Sequence, residues 1–354
     1  MAEGPVPGPE DSPSAPRLRD LPQPQKRSIW PRIVAFVLTA VVLYILWPSL
    51  LTVFQAWPEL LTINPIWFVV MFGFEVGSFV SIWALERLAI RTDRWFGVAT
   101  AQLAGNAVSR LVPGGAAAGG AIQYRMLTDT GIPPARVATG LTAAGLIGSG
   151  TLFALPILAV PAMLLGRPTP HGLAEAALLG GVVFVLGFIA GWILLTRERA
   201  LRTVALAIQW AVNHVRRRRS PVTDLPDRLR VERNEIAATL GSRWWQALVF
   251  ALGNWLFDYL ALLAAITATN SHPRPTLVLL AYAGAMVLSM IPITPGGLGF
   301  VEAGLAGLLA LAGVAAPALA TLAYRLVSYW LPLPAGAIAA GLHRRHYAGR
   351  ATTA

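Results

Sequence analysis

Polar and apolar positions in this chain segregate on the scale of whole helices. Runs of Leu, Ala, Val, Ile, Gly and Phe are separated by short stretches that carry the arginines, acids and prolines. At about 1.5 Å of rise per residue, about 20 such residues cross roughly 30 Å of hydrocarbon. The pattern predicts full spans at about 30–51, 63–90, 137–165, 172–196, 244–268 and 318–341. Residues 1–28 contain seven prolines and almost no large apolar residue, which predicts a disordered cytoplasmic tail. The first span follows too late, and is too long, for a cleavable signal peptide, and Trp30 and Trp47 sit at its two ends.

Two apolar regions break this regularity with the same tripeptide, at Pro113–Gly115 and Pro295–Gly297. Proline removes a backbone donor and glycine relaxes the helix, so each site predicts a break at membrane depth. Irregular backbone survives there only when buried in protein or lining a polar cavity. Positive residues mark the cytoplasmic side. Span two therefore ends inside at Arg87, Arg91 and Arg94, and residues 98–130 begin and end inside because Arg125 and Arg136 precede the next span. Residues 276–314 begin and end outside, since the last span delivers His343, Arg344, Arg345 and Arg350 to the cytoplasm. Two re-entrant hairpins from opposite faces satisfy these constraints. The legs 98–112 and 121–130 measure about 22 and 15 Å, short of a crossing. The leg 276–294 approaches a full span, which leaves two complete helices open for the second region.

The two halves match in spacing. Glu75 lies 38 residues before Pro113, and Asp258 lies 37 before Pro295. Span, hairpin, span recurs in opposite orientation, which predicts an all-α polytopic membrane protein with about six full transmembrane helices plus two re-entrant hairpins in an inverted-repeat arrangement. Repeat one covers about 63–165 and repeat two about 244–341, within a membrane domain at 29–342 and before a cytoplasmic tail at 343–354. Between them, residues 198–219 place Leu201, Val204, Ala205, Ile208, Val212 and Val215 on one helical face. That face suits an interfacial helix on anionic lipid; a solvated basic connector fits equally.

The chain has 354 residues, of which 55% are hydrophobic, and a net charge of +11. Eleven arginines against five acids fall in 197–243, which makes that stretch a cytoplasmic basic loop. Because the basic residues flank spans, nucleic acid is not an expected partner. There is no cysteine, so disulfide and thiol chemistry are excluded. All five histidines fall in predicted loops or tails, so no metal site and no cofactor are expected. No Gly-x-Ser-x-Gly elbow and no P-loop occur, so ATP is not a direct energy source within the chain.

The candidate chemistry lies at the two breaks. Arg110 stands about 18 Å along its leg, near midplane, where an arginine costs at least about 2.5 kcal/mol and marks function by default. Its planar fork suits phosphate or carboxylate, and Asn106 lies one turn earlier. Free amides around Gly114–Gly120 add a helix N-terminus. Pairing of Arg110 with Glu75 or Asp258 to hold helices together is the competing reading. At the second break, Pro295, Gly296, Gly297 and Gly299 precede Glu302, which either caps its helix, pairs with Arg325 or takes up a proton. Arg325, near Tyr329, lines the cavity or snorkels outward.

These motifs resemble the lysylphosphatidylglycerol synthetase transmembrane family, also called flippase-like or UPF0104. The second carries Pro292, Thr294 through Gly299 and Glu302, then Gly313-Val314, Tyr324-Arg325 and Tyr329-Trp330. The first matches at Asn106, Pro113-Gly114-Gly115, Gly119 and Tyr124-Arg125, and the similarity covers roughly residues 30–342. The resemblance implies an integral membrane domain that moves a lipid headgroup between leaflets or serves glycolipid assembly. The charge pattern puts both termini in the cytoplasm, and the alanine- and arginine-rich composition, with one lysine, suggests a bacterium and so its inner membrane. About a dozen residues follow the last span, so the soluble aminoacyl transferase of well-known members, and lysine transfer with it, are expected to be absent. Many relatives carry an acid where this chain has Ala116-Ala117-Ala118, and an acidic pair absent from Gly140–Gly150.

The leading expectation is a transporter, not an enzyme, that translocates an anionic phospholipid or a polyprenyl-phosphate-linked glycan. Asn106, Arg110, Pro113, Gly114, Gly115, Arg125, Pro295, Gly296, Gly297, Gly299, Arg325 and Tyr329 are its substrate-binding candidates. Glu75, Asp258 and Glu302 are candidates for coupling or ion pairing. Two alternatives stand beside it. One is a polyprenyl-phosphate-dependent glycosyltransferase or its accessory subunit. The other is an assembly partner that docks an envelope-synthesis enzyme through 197–243.

Overall fold

The computed structural model describes residues 57–112, 115–156, 197–215, 241–290 and 294–348, with isolated positions between 227 and 234. The expected spans 30–51 and 172–196, the N-terminal tail, Pro113, Gly114 and Pro292 lie outside the described residues. Among those described, every regular element is helical.

After a single turn at Trp57–Leu60, α1 runs Pro65–Ile90. Asn64 caps it by accepting from the Ile66 amide at 3.0 Å, and Pro65 fills the first helical position, where no N–H is needed. Arg91, in the left-handed region at φ 54°, ends it. Two shorter helices follow, α2 (Trp95–Leu111) and α3 (Gly115–Asp129), then α4 (Pro134–Ala154). Beyond α5 (Glu198–Val215) the order repeats. The long α6 (Trp244–Ala268) precedes the shorter α7 (Pro275–Ser289) and α8 (Phe300–Leu311). The last helix is interrupted: α9 (Pro317–Arg325), a π turn at Leu326–Trp330, then α10 (Pro332–Ala348).

Several expected boundaries move. The first hairpin's return leg begins at Gly115 rather than 121, because the glycine and alanine run there is already helical. The entering leg of the second hairpin stops at Ser289, 15 residues long, and its partner has 12. Both fall short of the about 20 that one crossing takes. Among the described residues, three helices are long and apolar enough to span a membrane: α1, α4 and α6. The chain also stays helical past 343, where a tail was expected. His343 is buried there, its Nδ1 at 2.7 Å from the Thr100 hydroxyl and its Nε2 at 3.0 Å from the Met126 carbonyl. Those bonds tie the final turns of α10 to α2 and α3. In α5 Ala205 is buried, whereas Val204, Leu206 and Trp210 are exposed.

The core is assembled by small residues. Along the α1–α6 seam, a Cβ on Gly77 would come within 3.0 Å of the Phe257 ring, and Asn254 donates to the Ser78 carbonyl and hydroxyl at 3.2 and 2.8 Å. Close backbone approach through Gly and Ser is how helices associate where lipid removes the hydrophobic drive. The largest buried cluster joins α6, α7, α8 and α9 around Tyr282, Leu305 and Leu309. The α2–α3 hairpin closes on its own glycines, with the Gly119 carbonyl 2.8 Å from where a Gly105 Cβ would stand.

This packing separates two neighbouring glycines. Gly119→Ala drives a methyl into the Gly105 carbonyl and into Ser109, whereas a Cβ at Gly120 meets nothing within 4 Å. Overpacking of this kind costs about 1–3 kcal/mol. Thermal unfolding of purified protein in detergent is expected to show a lowered midpoint for Gly119→Ala and no loss for Gly120→Ala.

Candidate functional site

Pro332 begins the assembly of the site. It has no N–H, so the Ser328 carbonyl one turn earlier lacks its helical donor. The chain takes up the mismatch as a π turn, in which the Leu331 amide donates to Leu326 at 3.1 Å. Arg110, at the end of α2, supplies the missing donor. Its Nη1 bonds the Ser328 and Tyr329 carbonyls at 2.6 and 3.0 Å. The Tyr329 hydroxyl donates back to the Arg110 carbonyl at 3.1 Å.

The second break closes against the same pair. Gly296 sits at φ 58°, and a Cβ there would lie 2.8 Å from the Arg110 carbonyl and collide with the Tyr329 hydroxyl. Only glycine fits both the backbone angle and the contact. The tips of the two hairpins therefore touch. Arg325 is 8% exposed, so it does not snorkel outward. It pairs with Glu302 at 2.7 Å and donates to the Gly296 carbonyl at 3.3 Å. Both guanidinium carbons lie over the Tyr329 ring, Arg110 at 5.1 Å and Arg325 at 4.4 Å from its centroid.

A cavity of about 790 Å³ opens beside this junction. Its wall includes Asn106, Arg110, Gly115, Gly296, Gly297, Arg325 and Tyr329, together with Glu75 and Asp258. Gly115, Ala116 and Ala117 bring the first turn of α3 to the wall, where amides have no intrahelical acceptor and the helix dipole is positive. Asn106 contributes a buried Oδ1 without a hydrogen-bond partner. Asp258 accepts from the Tyr324 hydroxyl at 2.9 Å to each oxygen and from the Tyr282 hydroxyl. Glu75 is 5% exposed and lies against Asp258. A wall with two guanidinium groups, a helix N-terminus and two acids can accept an anion while keeping its own charges nearly balanced.

Other predicted residues lie elsewhere. Arg125 is exposed on α3, away from the wall. Gly299, at φ 78°, caps α8 and is exposed, and Glu302 stands behind Arg325, off the lining. Pro295 opens the short turn Pro295–Gly297. Arg110 bonds backbone carbonyls, where pairing with an acid was the competing expectation.

The sequence reading missed Tyr282 and Tyr324 as the donors that hold Asp258, and Ser78 and Asn254 on the wall. Spacing offered one signal: Asn254 and Asp258 are four apart on α6, and Glu75 and Ser78 three apart on α1, each pair on one face. Glu86 was also missed. It is three turns beyond Glu75, buried, and bound by Gln123 Nε2 at 2.8 Å. Among the described residues no group of three or more His, Asp or Glu could hold a metal ion.

No solved structure matches the chain. A UPF0104 membrane protein of Methanothermobacter thermautotrophicus is 35% identical over 92 residues, 25% of this chain and 26% of that protein, so the match spans about a quarter of the relative's length. The profile of the lysylphosphatidylglycerol synthase TM region matches residues 32–336, which takes in every residue of the cavity wall. The chain is a membrane protein and belongs to the lysylphosphatidylglycerol synthase TM region family.

Proposed function

We propose that this protein is a flippase-like transporter that carries the headgroup of an anionic phospholipid or a lipid-linked glycan across the bacterial inner membrane. The observation that carries the reading is the junction of the two hairpin tips, where two arginines and a helix N-terminus border one cavity. A phosphate on this wall would meet the Arg110 and Arg325 guanidinium groups, the Asn106 side chain and the amides of Gly115–Ala117. The wall acids, Glu75 and Asp258, belong to the middle of long helices, not to a surface loop. That placement favours carriage over glycosyl transfer, which needs an acid beside a membrane-surface pocket.

In this reading α2–α3 and α7–α8 are re-entrant hairpins that enter from the cytoplasmic and outer faces, the termini are cytoplasmic, and rocking of one repeat on the other alternates access. The absence of cysteine makes the topology directly testable. Single cysteines at the exposed positions Asp93 and Asp129 are expected to react with an impermeant maleimide only from the cytoplasmic side. Cysteines at His272 and Ala315 are expected to react only from outside. Labelling of Asp93 and Asp129 from opposite sides would mean that α2 and α3 together make one net crossing, and would overturn the hairpin.

For transport, liposomes containing the purified protein and a fluorescent phosphatidylglycerol provide the assay. Loss of charge-assisted bonds to a phosphate costs about 1.5–3 kcal/mol. Arg110→Ala is therefore expected to slow flipping by about 10- to 100-fold, and Arg110→Lys, which keeps the charge but not the fork, by an intermediate factor. Unchanged flipping in a folded Arg110→Ala protein would remove the cradle.

A further inference from the structure

Three acids lie in or near the cavity, and the structure partners them unequally. Glu302 is paired with Arg325. Asp258 has two tyrosine hydroxyl donors. Glu75 is buried, its Oε1 has no hydrogen-bond partner, and its carboxyl group abuts Asp258. A bare carboxylate in that position loses its hydration and meets a like charge. A proton on Glu75 relieves both costs, because the carboxyl group then donates to Asp258.

The charges around Glu75 give the proton a second consequence. The groups facing it are Asp258 on α6, Arg110 on α2, Tyr282 on α7 and Tyr324 on α9. The π turn adds Tyr329 to the wall, and α4 adds the Ser149 hydroxyl. Arg110 and Arg325 bring two positive charges to the site, and Asp258, Glu302 and Glu75 bring three carboxyl groups. With Glu75 ionised the wall and Glu302 behind it together carry one surplus negative charge, which opposes a phosphate. With Glu75 protonated the surplus is gone.

We infer that Glu75 is a proton-binding site coupled to the headgroup site, so that one proton and one anionic headgroup enter the cavity together. This rests on the headgroup reading above and adds an energy source to it. The proton comes from water at the face where the cavity is open and forms one O–H bond on Glu75. It returns to water when the headgroup leaves at the other face, and no other bond is made or broken. Coupling of this kind is reciprocal: the headgroup must promote proton uptake by as much as the proton promotes headgroup binding.

The test uses the purified full-length protein in detergent, with dihexanoyl-phosphatidylglycerol as probe. Binding is followed by the fluorescence of the tryptophans, of which Trp255 is on the wall. Affinity is expected to weaken by on the order of tenfold per pH unit once Glu75 ionises, and each bound lipid to withdraw up to about one proton from a weakly buffered solution. Glu75→Gln is expected to abolish both effects, binding at about pH 8 as tightly as the natural protein binds at about pH 5. Proton uptake by the unsubstituted protein gives an answer even if that variant fails to fold. Binding that ignores pH and takes up no proton overturns the coupling and leaves the headgroup site standing. Uptake that persists in folded Glu75→Gln also overturns it, by assigning the proton to another group. A probe that fails to bind at any pH overturns the headgroup reading itself, and the coupling with it.

Discussion

The structure depends on an exchange between one proline and one arginine. Pro332 leaves a carbonyl without a donor inside a helix, and Arg110 brings a guanidinium into an apolar interior. Either alone is expensive away from water, by several kcal/mol for an unsatisfied polar group and by at least a few for the cation. Together they cancel much of that cost, and their bond ties the tip of the first hairpin to the last helix. The neighbouring constraints follow. Tyr329 is held by its hydroxyl on the Arg110 carbonyl, and the second hairpin can approach that spot only through a residue without a side chain, Gly296.

This arrangement leaves positive charge unequally committed. Arg325 is locked by Glu302 and the Gly296 carbonyl, while Arg110 is held through carbonyl oxygens, which carry only partial charge. A full anion in the cavity competes well against partial charges. The two arginines share one aromatic ring, that of Tyr329.

Much of this could be read from the chain before the structure. The Asn64-Pro65 start of α1 follows from local chemistry, as does the break at Pro295–Gly297. Arg110, Glu75 and Asp258 stood out because a charge in an apolar run is conspicuous on its own. What stayed hidden depends on partners far apart in sequence. That Arg110 would bond carbonyls 218 and 219 residues away requires knowing that Pro332 creates a π turn. Tyr282 and Tyr324 look like ordinary apolar-helix aromatics until Asp258 is set between them. The start of the return leg moved for a simpler reason: the leg was counted from 121, yet Gly115–Gly120 is already helical, with Gly115 and Gly119 packed closely on α2.

The π turn also acts as an index mark. It inserts one surplus residue between α9, which packs on α6 and α8, and α10, which lies on α2 through Gly336 against Leu103 and Ala107. One residue corresponds to about 100° of rotation on a helix. The azimuth of Arg325 toward Glu302 and that of Gly336 toward α2 are thus set against each other by a single position. If the chain were shortened there by one residue, the last helix could keep either bearing but not both.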